Sequence, residues 1–227
     1  MITAVTTCMG RLEHLETTLP LMLQEFDRVI VVDWSCPQGS GQWAEEEGAS
    51  VVYRKREEYF NASKARNLGA REVQTRKVCF VDADTMVFPG LAEEIETLLD
   101  LKTMIVASRR PDNTDVPNLN GFIAVDIGQF WGVGGYNESL EGYGLEDAFL
   151  RAQLFCERGM RPKRVSPALL GAIQHSDEIR GRHHRESINV SSVRCYAALR
   201  KYLSEHGISD WTTDPRTAEI CYRSKHD

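Results

Sequence analysis

Two aspartates follow a short apolar run near the middle of the chain, in the stretch KVCFVDADTMV from Lys77 to Val87. A short apolar run between two segments of helical pattern predicts a buried parallel strand, and ligands of open α/β sheets bind beyond the carboxyl ends of such strands. Side chains at positions i and i+2 of an extended segment point the same way, so Asp82 and Asp84 can reach one hard cation. The stretch therefore predicts a site for a metal ion and a diphosphate. The alternative is that both carboxylates only cap the following turn.

A second acidic pair lies in the stretch GYGLEDAFLRAQLFCERG, residues 142–159. Its apolar residues share one face of a predicted helix, which indicates a core-facing helix: Leu145, Ala148, Phe149, Ala152, Phe155 and Cys156. Glu146 and Asp147 then lie in the first helical turn, where the helix dipole and the free backbone N–H groups favour the ionised form by about 0.3 to 1 kcal/mol each. An ordinary helix cap has the same pattern, and both interpretations stay open.

The elements that must position these acids alternate between strand and helix patterns. Ahead of the central run we predict strands at Met1–Cys8, Arg28–Asp33 and Ser50–Arg54, and helices at Arg11–Phe26, Gln42–Glu47 and from an Asn61 cap to Val73. After it we predict a helix at Phe88–Leu101, strands at Met104–Ser108, Gly121–Val125 and Arg164–Ser166, a polar loop at Arg109–Leu119, and a late helix containing Val193, Tyr196, Ala197 and Leu203. Repeated βαβ units predict an α/β protein with a mostly parallel sheet.

The composition limits the classes of function. With 227 residues, of which 42% are hydrophobic and 26% charged, the chain can bury one sizeable core. A formal net charge of -6 gives no support to a general nucleic-acid binder. No apolar run approaches the roughly 20 residues that span a bilayer, and the start MITAVTTCM lacks a signal-peptide pattern, so we expect a cytoplasmic protein without a membrane span. The 6 cysteines are scattered without a C-x-x-C pair, and we expect no disulfides.

Short motifs occur in a fixed order along residues 2–180. These are Arg11-Leu12-Glu13-His14-Leu15 after the first strand, then Phe60, Asn61, Lys64, Asn67 and Gly69 at the start of a helix, the Asp-x-Asp run, Tyr143-Gly144-Leu145-Glu146-Asp147, and Gln174-His175-Ser176. Together they resemble glycosyltransferases of the GT-A fold, and look closest to the β1,4-galactosyltransferase group, with a family-2-type N-terminal half. The resemblance implies a Rossmann-like, mostly parallel sheet flanked by helices, with a C-terminal acceptor-side region.

The resemblance also implies how the chain is organised. We expect a single GT-A domain over residues 1–206, with a nucleotide-binding half at 1–108 and an acceptor-binding half at 109–206. A tail at 207–227 follows. The segment from Ser176 to Arg185 corresponds to a loop that closes over the donor in the resembling enzymes, so we expect it to order when nucleotide and metal bind. For His183 and His184 a solvated position is the simpler expectation.

The implied reaction moves a sugar from a nucleoside diphosphate to a hydroxyl, which needs a cation for the leaving diphosphate and a base for the acceptor. The resemblance assigns Asp84 and His175 to the metal, either Mn²⁺ or Mg²⁺, and the imidazole favours manganese. Asp82 would contact the ribose or a metal-bound water. Asp147 matches the base, which implies inversion at the anomeric carbon, and Glu146 would hold the acceptor hydroxyl.

Further residues are assigned to the donor nucleotide by the same resemblance. Asp33 would recognise the uracil edge, Phe60 would stack on the base, and two arginines would bind the diphosphate or nucleotide. The two arginines are Arg11 and Arg66, and Thr7 and Tyr143 are assigned as further donor-site residues. A turn cap is the alternative for Asp33, and a solvated helix arginine is the alternative for Arg66.

Some positions depart from the β1,4-galactosyltransferase pattern. Ala172 stands where that group has a thioether metal ligand, so more water should complete the metal shell. Trp34 stands where family-2-type enzymes often have a second Asp, Leu145 replaces a glycine beside the acceptor site, and Tyr143 replaces a tryptophan. These changes leave the reaction class in place and the identity of both sugars open.

The predicted function is a metal-dependent inverting transfer of a hexose or N-acetylhexosamine from a UDP-sugar. A glycan, glycolipid or small molecule is the expected acceptor, and the basic residues at 161–164 and 180–185 keep modified nucleic acid open. One alternative is a sugar-1-phosphate nucleotidyltransferase, although TTCMGRLEHL after the first strand lacks the glycine-rich loop of that class. A second alternative is a catalytically inactive module that binds nucleotide or glycan.

Overall fold

The structure is a computed structural model and describes residues 1–108 and 119–208. Its strands are β1 (Ile2–Cys8), β2 (Arg28–Trp34), β3 (Ser50–Arg54), β4 (Lys77–Phe80), β5 (Thr85–Val87), β6 (Thr103–Val106), β7 (Ile123–Asp126), β8 (Arg161–Arg164) and β9 (Leu170–Ala172). Its α-helices are α1 (Leu12–Glu25), α2 (Ser40–Glu46), α3 (Ala62–Ala70), α4 (Leu91–Leu98), α5 (Ile127–Gly132), α6 (Glu146–Arg158), α7 (Asp177–Gly181) and α8 (Ile188–Glu205).

Seven of these strands form one twisted sheet in the order β3-β2-β1-β4-β7-β6-β8. All neighbouring pairs are parallel except those of β7, which runs antiparallel to both β4 and β6. The prediction of an α/β fold with a mostly parallel sheet is therefore confirmed. Because β1, β2 and β4 are adjacent and parallel, their carboxyl ends meet at one edge, which is where ligands of such sheets bind.

Helices cover both faces of the sheet because successive strand residues point to opposite sides. On β2, Ile30 and Val32 pack into one buried cluster with side chains of α3, α5, α6 and α8. Val29 and Val31 pack into the other cluster with α1, α2 and α4. Helix α3 lies very close to the sheet, since a Cβ at Gly69 would be 2.5 Å from a methyl carbon of Val5.

The central stretch differs from the prediction of one extended strand. Strand β4 ends at Phe80, and a turn closed by a 2.9 Å hydrogen bond from the Thr85 N–H to the Asp82 carbonyl follows it. Strand β5 then pairs with β9 in a separate two-stranded sheet, with Thr85 opposite Ala172. The reason is the competing β9 strand, which pairs with the chain just after the two aspartates. This pairing continues in a 2.9 Å hydrogen bond from the Ile173 N–H to the Asp84 carbonyl.

The two predicted halves share one core. Cluster members include Val5 and Met104 from the first half and Ile123 and Leu199 from the second. The start of the predicted tail packs there too, because Ile208 is buried. The loop at 109–118 and the tail from 209 lie outside the described residues, and the domain bounds stay a prediction.

The described residues contain no helix that is both long and apolar enough to cross a bilayer. The cysteines among them, Cys8, Cys36, Cys79, Cys156 and Cys195, are free thiols. Cys221 falls outside the described residues.

Candidate active site

A cavity of about 680 Å³ lies at the edge where the parallel strands end. Ten of the predicted site residues line it: Thr7, Arg11, Phe60, Arg66, Asp82, Asp84, Tyr143, Glu146, Asp147 and His175. They come from sequence positions as far apart as 7 and 175, so the fold gathers the motifs into a single pocket. Asp33 is not among the lining residues.

Asp84 and His175 meet on one wall of this cavity. The Asp84 Oδ2 atom contacts the His175 Nε2 atom directly, and the β5–β9 pairing brings the two residues together. The Nη1 atom of Arg11 lies 2.9 Å from His175 Nε2 and 3.4 Å from Asp84 Oδ2. Burial raises the pKa of Asp84, and the nearby Asp82 carboxylate adds to this rise. A carboxylate oxygen and an imidazole nitrogen thus converge on a point where the protein already places a positive guanidinium.

This donor set fits a divalent cation that takes its remaining ligands from water and a diphosphate. In the described parts of the chain no group of three or more His, Cys, Asp or Glu side chains has metal-binding geometry. The His14 ring stacks on the His175 ring at a centroid distance of 5.4 Å. His14 therefore helps to orient the imidazole, a role that the sequence analysis did not assign.

Arg66 lies at the centre of the acidic residues. Its Nη1 atom donates to Asp147 Oδ1 at 2.9 Å and to Glu146 Oε1 at 3.0 Å, and its Nη2 atom donates to Asp82 Oδ1 at 2.5 Å. The residue is only 5% exposed, so the alternative of a solvated helix arginine is wrong. Burial by itself would lower the pKa of Arg66, but the surrounding carboxylates outweigh this and raise it well above its usual value.

Asp147 shares one guanidinium with two other carboxylates. Burial raises the pKa of Asp147 to about 8, the Arg66 guanidinium opposes this rise, and the charges of Glu146 and Asp82 add to it. When all three acids are ionised, their three negative charges exceed the positive charges of Arg66 and of the nearby Arg151, which also acts on Asp147. A bound proton or an additional cation relieves this excess.

Helix α6 positions the two acids through an unusual N-terminus. Glu146 and Asp147 lie in its first turn, as the sequence predicts. The residue before them, Leu145, has φ of 66°, and Gly142 and Gly144 have φ of 89° and 104°. A non-glycine residue in this left-handed region costs about 1 to 2 kcal/mol, which explains why a glycine stands there in the resembling motif.

Asp33 caps a turn and is not among the residues that line the cavity. Its carboxylate accepts hydrogen bonds from the Cys36 N–H at 2.7 Å, from the Gly41 N–H at 2.7 Å and from the Ser40 hydroxyl at 3.2 Å. These contacts are those of the turn-cap alternative, and they hold the loop from β2 into α2. Recognition of uracil by Asp33 stays a prediction.

The segment that contains α7 closes one side of the cavity. The Phe60 N–H donates to the His183 carbonyl at 2.8 Å, and the His184 ring contacts the rings of Phe60 and Tyr143 edge-on at 6.0 and 5.7 Å. A Cβ at Gly10 would be 2.0 Å from His183 Nε2, so only glycine admits this contact. His183 and His184 line the cavity and are half-buried, and the expectation that they are solvated is wrong.

Several lining residues were not found from the sequence: Met9, Ala62, Ala83, Asn120, Gly121, Gly142, Gly144, Ile179, Ser192, Val193 and Tyr196. The glycines of the GYG stretch carried a signal, because two glycines close together before an acidic helix start indicate an unusual backbone. No such signal marked Ser192, Val193 and Tyr196, because their spacing is typical of an ordinary surface or core helix.

The comparisons with known proteins point the same way. A family model described as glycosyl transferase family 2 matches residues 4–135. No curated protein sequence matches the chain significantly.

Among solved structures, the mannosyltransferase PcManGT from Pyrobaculum calidifontis in complex with GDP-Man and Mn²⁺ is similar with a TM-score of 0.62 at 14% identity, over 96% of this chain and 72% of that one. Residues 1–349 of S. aureus TarS in complex with UDP-GlcNAc match with a TM-score of 0.66 at 12% identity, over 93% and 74%. GalNAc-T7 with UDP, GalNAc and Mn²⁺ matches with a TM-score of 0.66 at 14% identity, over 88% of this chain and 47% of that one.

Identities this low show a shared fold and nothing finer, and the likeness to the β1,4-galactosyltransferase group stays a prediction. The family model, in contrast, spans more than half of the chain and includes β1 to β4, the Asp82–Asp84 turn and α3 with Arg66. The chain therefore belongs to glycosyl transferase family 2 and is a glycosyltransferase of the GT-A fold.

Proposed function

We propose that the protein is a metal-dependent, inverting glycosyltransferase that moves a hexose or N-acetylhexosamine from a UDP-sugar to an acceptor hydroxyl. The observation that carries this proposal is that one cavity contains both the Asp84–His175 pair and the buried Asp147. The first is suited to a cation and a diphosphate, and the second to a proton acceptor. Their presence in one pocket favours transfer over the nucleotidyltransferase alternative and over a binding module.

The donor end of the proposed site is the wall with Asp84, His175 and Arg11. When bound there, Mn²⁺ or Mg²⁺ would neutralise the charge that develops on the departing diphosphate. Arg11 adds a fixed positive charge at the same wall, and its planar guanidinium suits phosphate oxygens. Three similar structures contain GDP-Man with Mn²⁺, UDP-GlcNAc, and UDP with Mn²⁺, which supports a nucleotide-sugar and a metal for this chain as well.

The acceptor end is the wall with Glu146 and Asp147. In the proposed step, Asp147 takes the proton of the acceptor hydroxyl and the acceptor oxygen forms a bond to the anomeric carbon. The bond between that carbon and the diphosphate breaks, and the diphosphate leaves with the bonding electrons. Attack from the side opposite the leaving group inverts the anomeric carbon. Glu146 accepts a hydrogen bond from the acceptor sugar, and Arg66 holds both acids in place.

A screen of nucleotide-sugars tests the proposal directly. The protein is incubated with UDP- and GDP-linked hexoses and N-acetylhexosamines, with and without Mn²⁺, and release of the nucleoside diphosphate is measured. We expect hydrolysis of a UDP-sugar that requires the metal, and faster release when a panel of glycoside acceptors is added. Release that is equal with Mn²⁺ and with EDTA would contradict the metal requirement, and an α-linked product from an α-linked donor would contradict inversion.

Removal of either proposed metal ligand should weaken Mn²⁺ binding. We expect Asp84→Ala and His175→Ala to reduce the affinity for Mn²⁺, measured with saturating UDP by the electron paramagnetic resonance signal of free Mn²⁺, by more than about tenfold. His206→Ala is the matched control, because His206 bonds the Tyr202 carbonyl on α8 and does not line the cavity. Unchanged Mn²⁺ affinity in both ligand variants would remove these residues from the metal site.

The raised pKa of Asp147 predicts that the transfer rate depends on pH. A base must be ionised to act, so kcat/KM for the acceptor should rise with pH and level off above about 8, the value to which burial raises the pKa of Asp147. Because this pKa is raised by folding, the protonated carboxyl stabilises the fold at low pH, and that contribution is lost as pH rises towards about 8. A carbon-13 NMR titration should show a carboxyl resonance with this pKa that is missing in Asp147→Asn. Its absence from the wild type would refute the assignment.

A further inference from the structure

Helix α8 has an exposed apolar face. The buried side of the helix is formed by Ser191, Cys195, Leu199 and Leu203, which pack into the core. On the opposite side Val190 is 58% exposed, Val193 71% and Tyr196 37%. We name these three residues, Val190, Val193 and Tyr196, the α8 platform.

The α8 platform continues the wall of the active-site cavity. Val193 and Tyr196 line that cavity together with Tyr143 and Leu145, next to Glu146 and Asp147. An apolar surface therefore leads directly from the proposed acceptor carboxylates to the protein exterior. Exposed apolar patches that adjoin a pocket are typical of ligand-binding surfaces.

The platform is also fixed relative to those carboxylates. The Ser191 hydroxyl oxygen accepts a hydrogen bond from the Tyr143 N–H at 3.0 Å and lies 3.2 Å from the Tyr143 carbonyl. Arg194 donates to the Glu141 carbonyl at 2.6 Å and to Glu186 at 2.7 Å. These hydrogen bonds connect helix α8 to the loop that leads into α6.

The charges at this end of the cavity indicate what can bind. The oxygens of Glu146 and Asp147 can accept hydrogen bonds from neutral hydroxyl groups, and the Arg66 guanidinium beside them is already engaged by three carboxylates. The guanidinium of Arg194 is already engaged by Glu186 and by a backbone carbonyl. Aromatic rings such as those of Tyr143 and Tyr196 pack well on the apolar face of a sugar ring or on an alkyl chain. This combination suits a neutral molecule that is polar at one end and apolar at the other.

We propose that the acceptor is a neutral glycoside with an apolar aglycone, whose terminal sugar binds at Glu146 and Asp147 and whose aglycone lies on the α8 platform. This inference rests on the proposed transferase function, because it takes the acidic end of the cavity as the acceptor site. It narrows the acceptor classes that the sequence left open and disfavours an anionic acceptor.

The test compares acceptors that differ only in the aglycone. Methyl and octyl β-glucosides and β-galactosides, below their micelle concentrations, are used with the UDP-sugar that the screen identifies. We expect the octyl glycoside to have a KM about tenfold lower than the methyl glycoside, and glucose 6-phosphate to be poorer than either. In Val193→Asp the octyl preference should fall to within about twofold.

Two controls make the result specific. Leu101→Asp introduces the same charge at another exposed apolar residue, which is 45% exposed and does not line the cavity, and should keep the full octyl preference. Val193→Leu keeps the apolar surface and should also retain the full octyl preference. Equal KM values for methyl and octyl glycosides in the wild type, or a preference for glucose 6-phosphate, would overturn the proposal.

A binding measurement separates this proposal from the proposed function. Octyl glucoside is titrated into the UDP-bound protein and followed by NMR line broadening of the ligand, which needs no catalysis. If octyl glucoside binds and Val193→Asp abolishes this binding, the platform is supported even when no sugar is transferred. In that case only the transferase proposal fails. Transfer to glycosides with no octyl binding, or with binding that Val193→Asp leaves intact, would overturn the platform and leave the transferase proposal standing.

Discussion

Asp147→Asn should reduce the rate of sugar transfer by about 10³-fold, within the range that loss of a general base produces. The amide has the shape of the carboxyl group but cannot take a proton from the acceptor hydroxyl. The substitution should not disturb the fold, because Asp147 is buried and the raised pKa of about 8 already favours a neutral group at this position. Arg66 retains Glu146 and Asp82 as partners. The loss should therefore appear in kcat, with UDP and Mn²⁺ binding unchanged.

Nucleoside diphosphate release with the best glycoside acceptor measures this loss, and titration of UDP checks that the donor site is intact. Asp126→Asn is the matched control, because Asp126 is also a buried aspartate at a helix start and lies outside the cavity lining. Asparagine can replace it as a cap for the Gly128 and Gln129 N–H groups, so its transfer rate should stay within about twofold of the wild type. If Asp147→Asn kept more than a tenth of the wild-type rate, Asp147 would not be the base.

The sheet and most of its helices could be predicted because their signals are local. The alternating and apolar runs around Ile2–Cys8 and Arg28–Trp34 mark buried strands, and the Asn61 side chain caps α3 by accepting from the Lys64 N–H at 2.9 Å, as a cap residue before a helix should. The acidic start of α6 follows from the same kind of pattern. Each of these elements is determined by a few neighbouring residues, so it can be predicted from the sequence alone.

The turn after β4 could not be predicted, because it depends on a distant strand. Nothing between Lys77 and Val87 indicates that Thr85 will pair with Ala172, yet this pairing ends the main sheet and brings His175 to Asp84. Asp84 and His175 therefore lie together, and their role as metal ligands stays a prediction, whereas the extended geometry expected for Asp82 and Asp84 is wrong. The resemblance to the β1,4-galactosyltransferase group implied that Asp84 and His175 lie together, which the periodicity of apolar residues cannot indicate.

The surroundings of Arg66 and of α8 were missed for a related reason. A helix arginine is most often solvated, and only the arrival of α6 from the second half of the chain surrounds Arg66 with acids. Val193 and Tyr196 have the spacing of a core-facing stripe, but Ser191 and Cys195 take the buried side because Ser191 bonds the Tyr143 backbone. In both cases the deciding interaction joins residues about 50 to 80 positions apart.

Arg66→Met should lower the free energy of unfolding by about 3 to 5 kcal/mol at pH 7, the cost of leaving buried charges without their partner. Methionine fills a similar volume, so the loss reports charge more than packing. Arg66 is only 5% exposed and is the shared partner of Asp82, Glu146 and Asp147 at 2.5 to 3.0 Å. Without the guanidinium, ionised carboxylates would face one another in a buried site, so the folded variant should bind additional protons there.

This mechanism predicts the sign of the pH dependence. Between about pH 4 and pH 8 the folded variant binds more protons than the unfolded chain, so its stability falls as pH rises, by about 1.4 kcal/mol per pH unit for each extra proton. Urea denaturation at pH 5 and pH 7 should therefore show a smaller loss at pH 5. Arg71→Met is the control at the end of the same helix, because Arg71 is 56% exposed and pairs with Glu138 at 3.5 Å. It should cost less than about 1 kcal/mol at either pH. A loss in Arg66→Met that is equal at pH 5 and pH 7 would show that packing, and not the three acids, depends on Arg66.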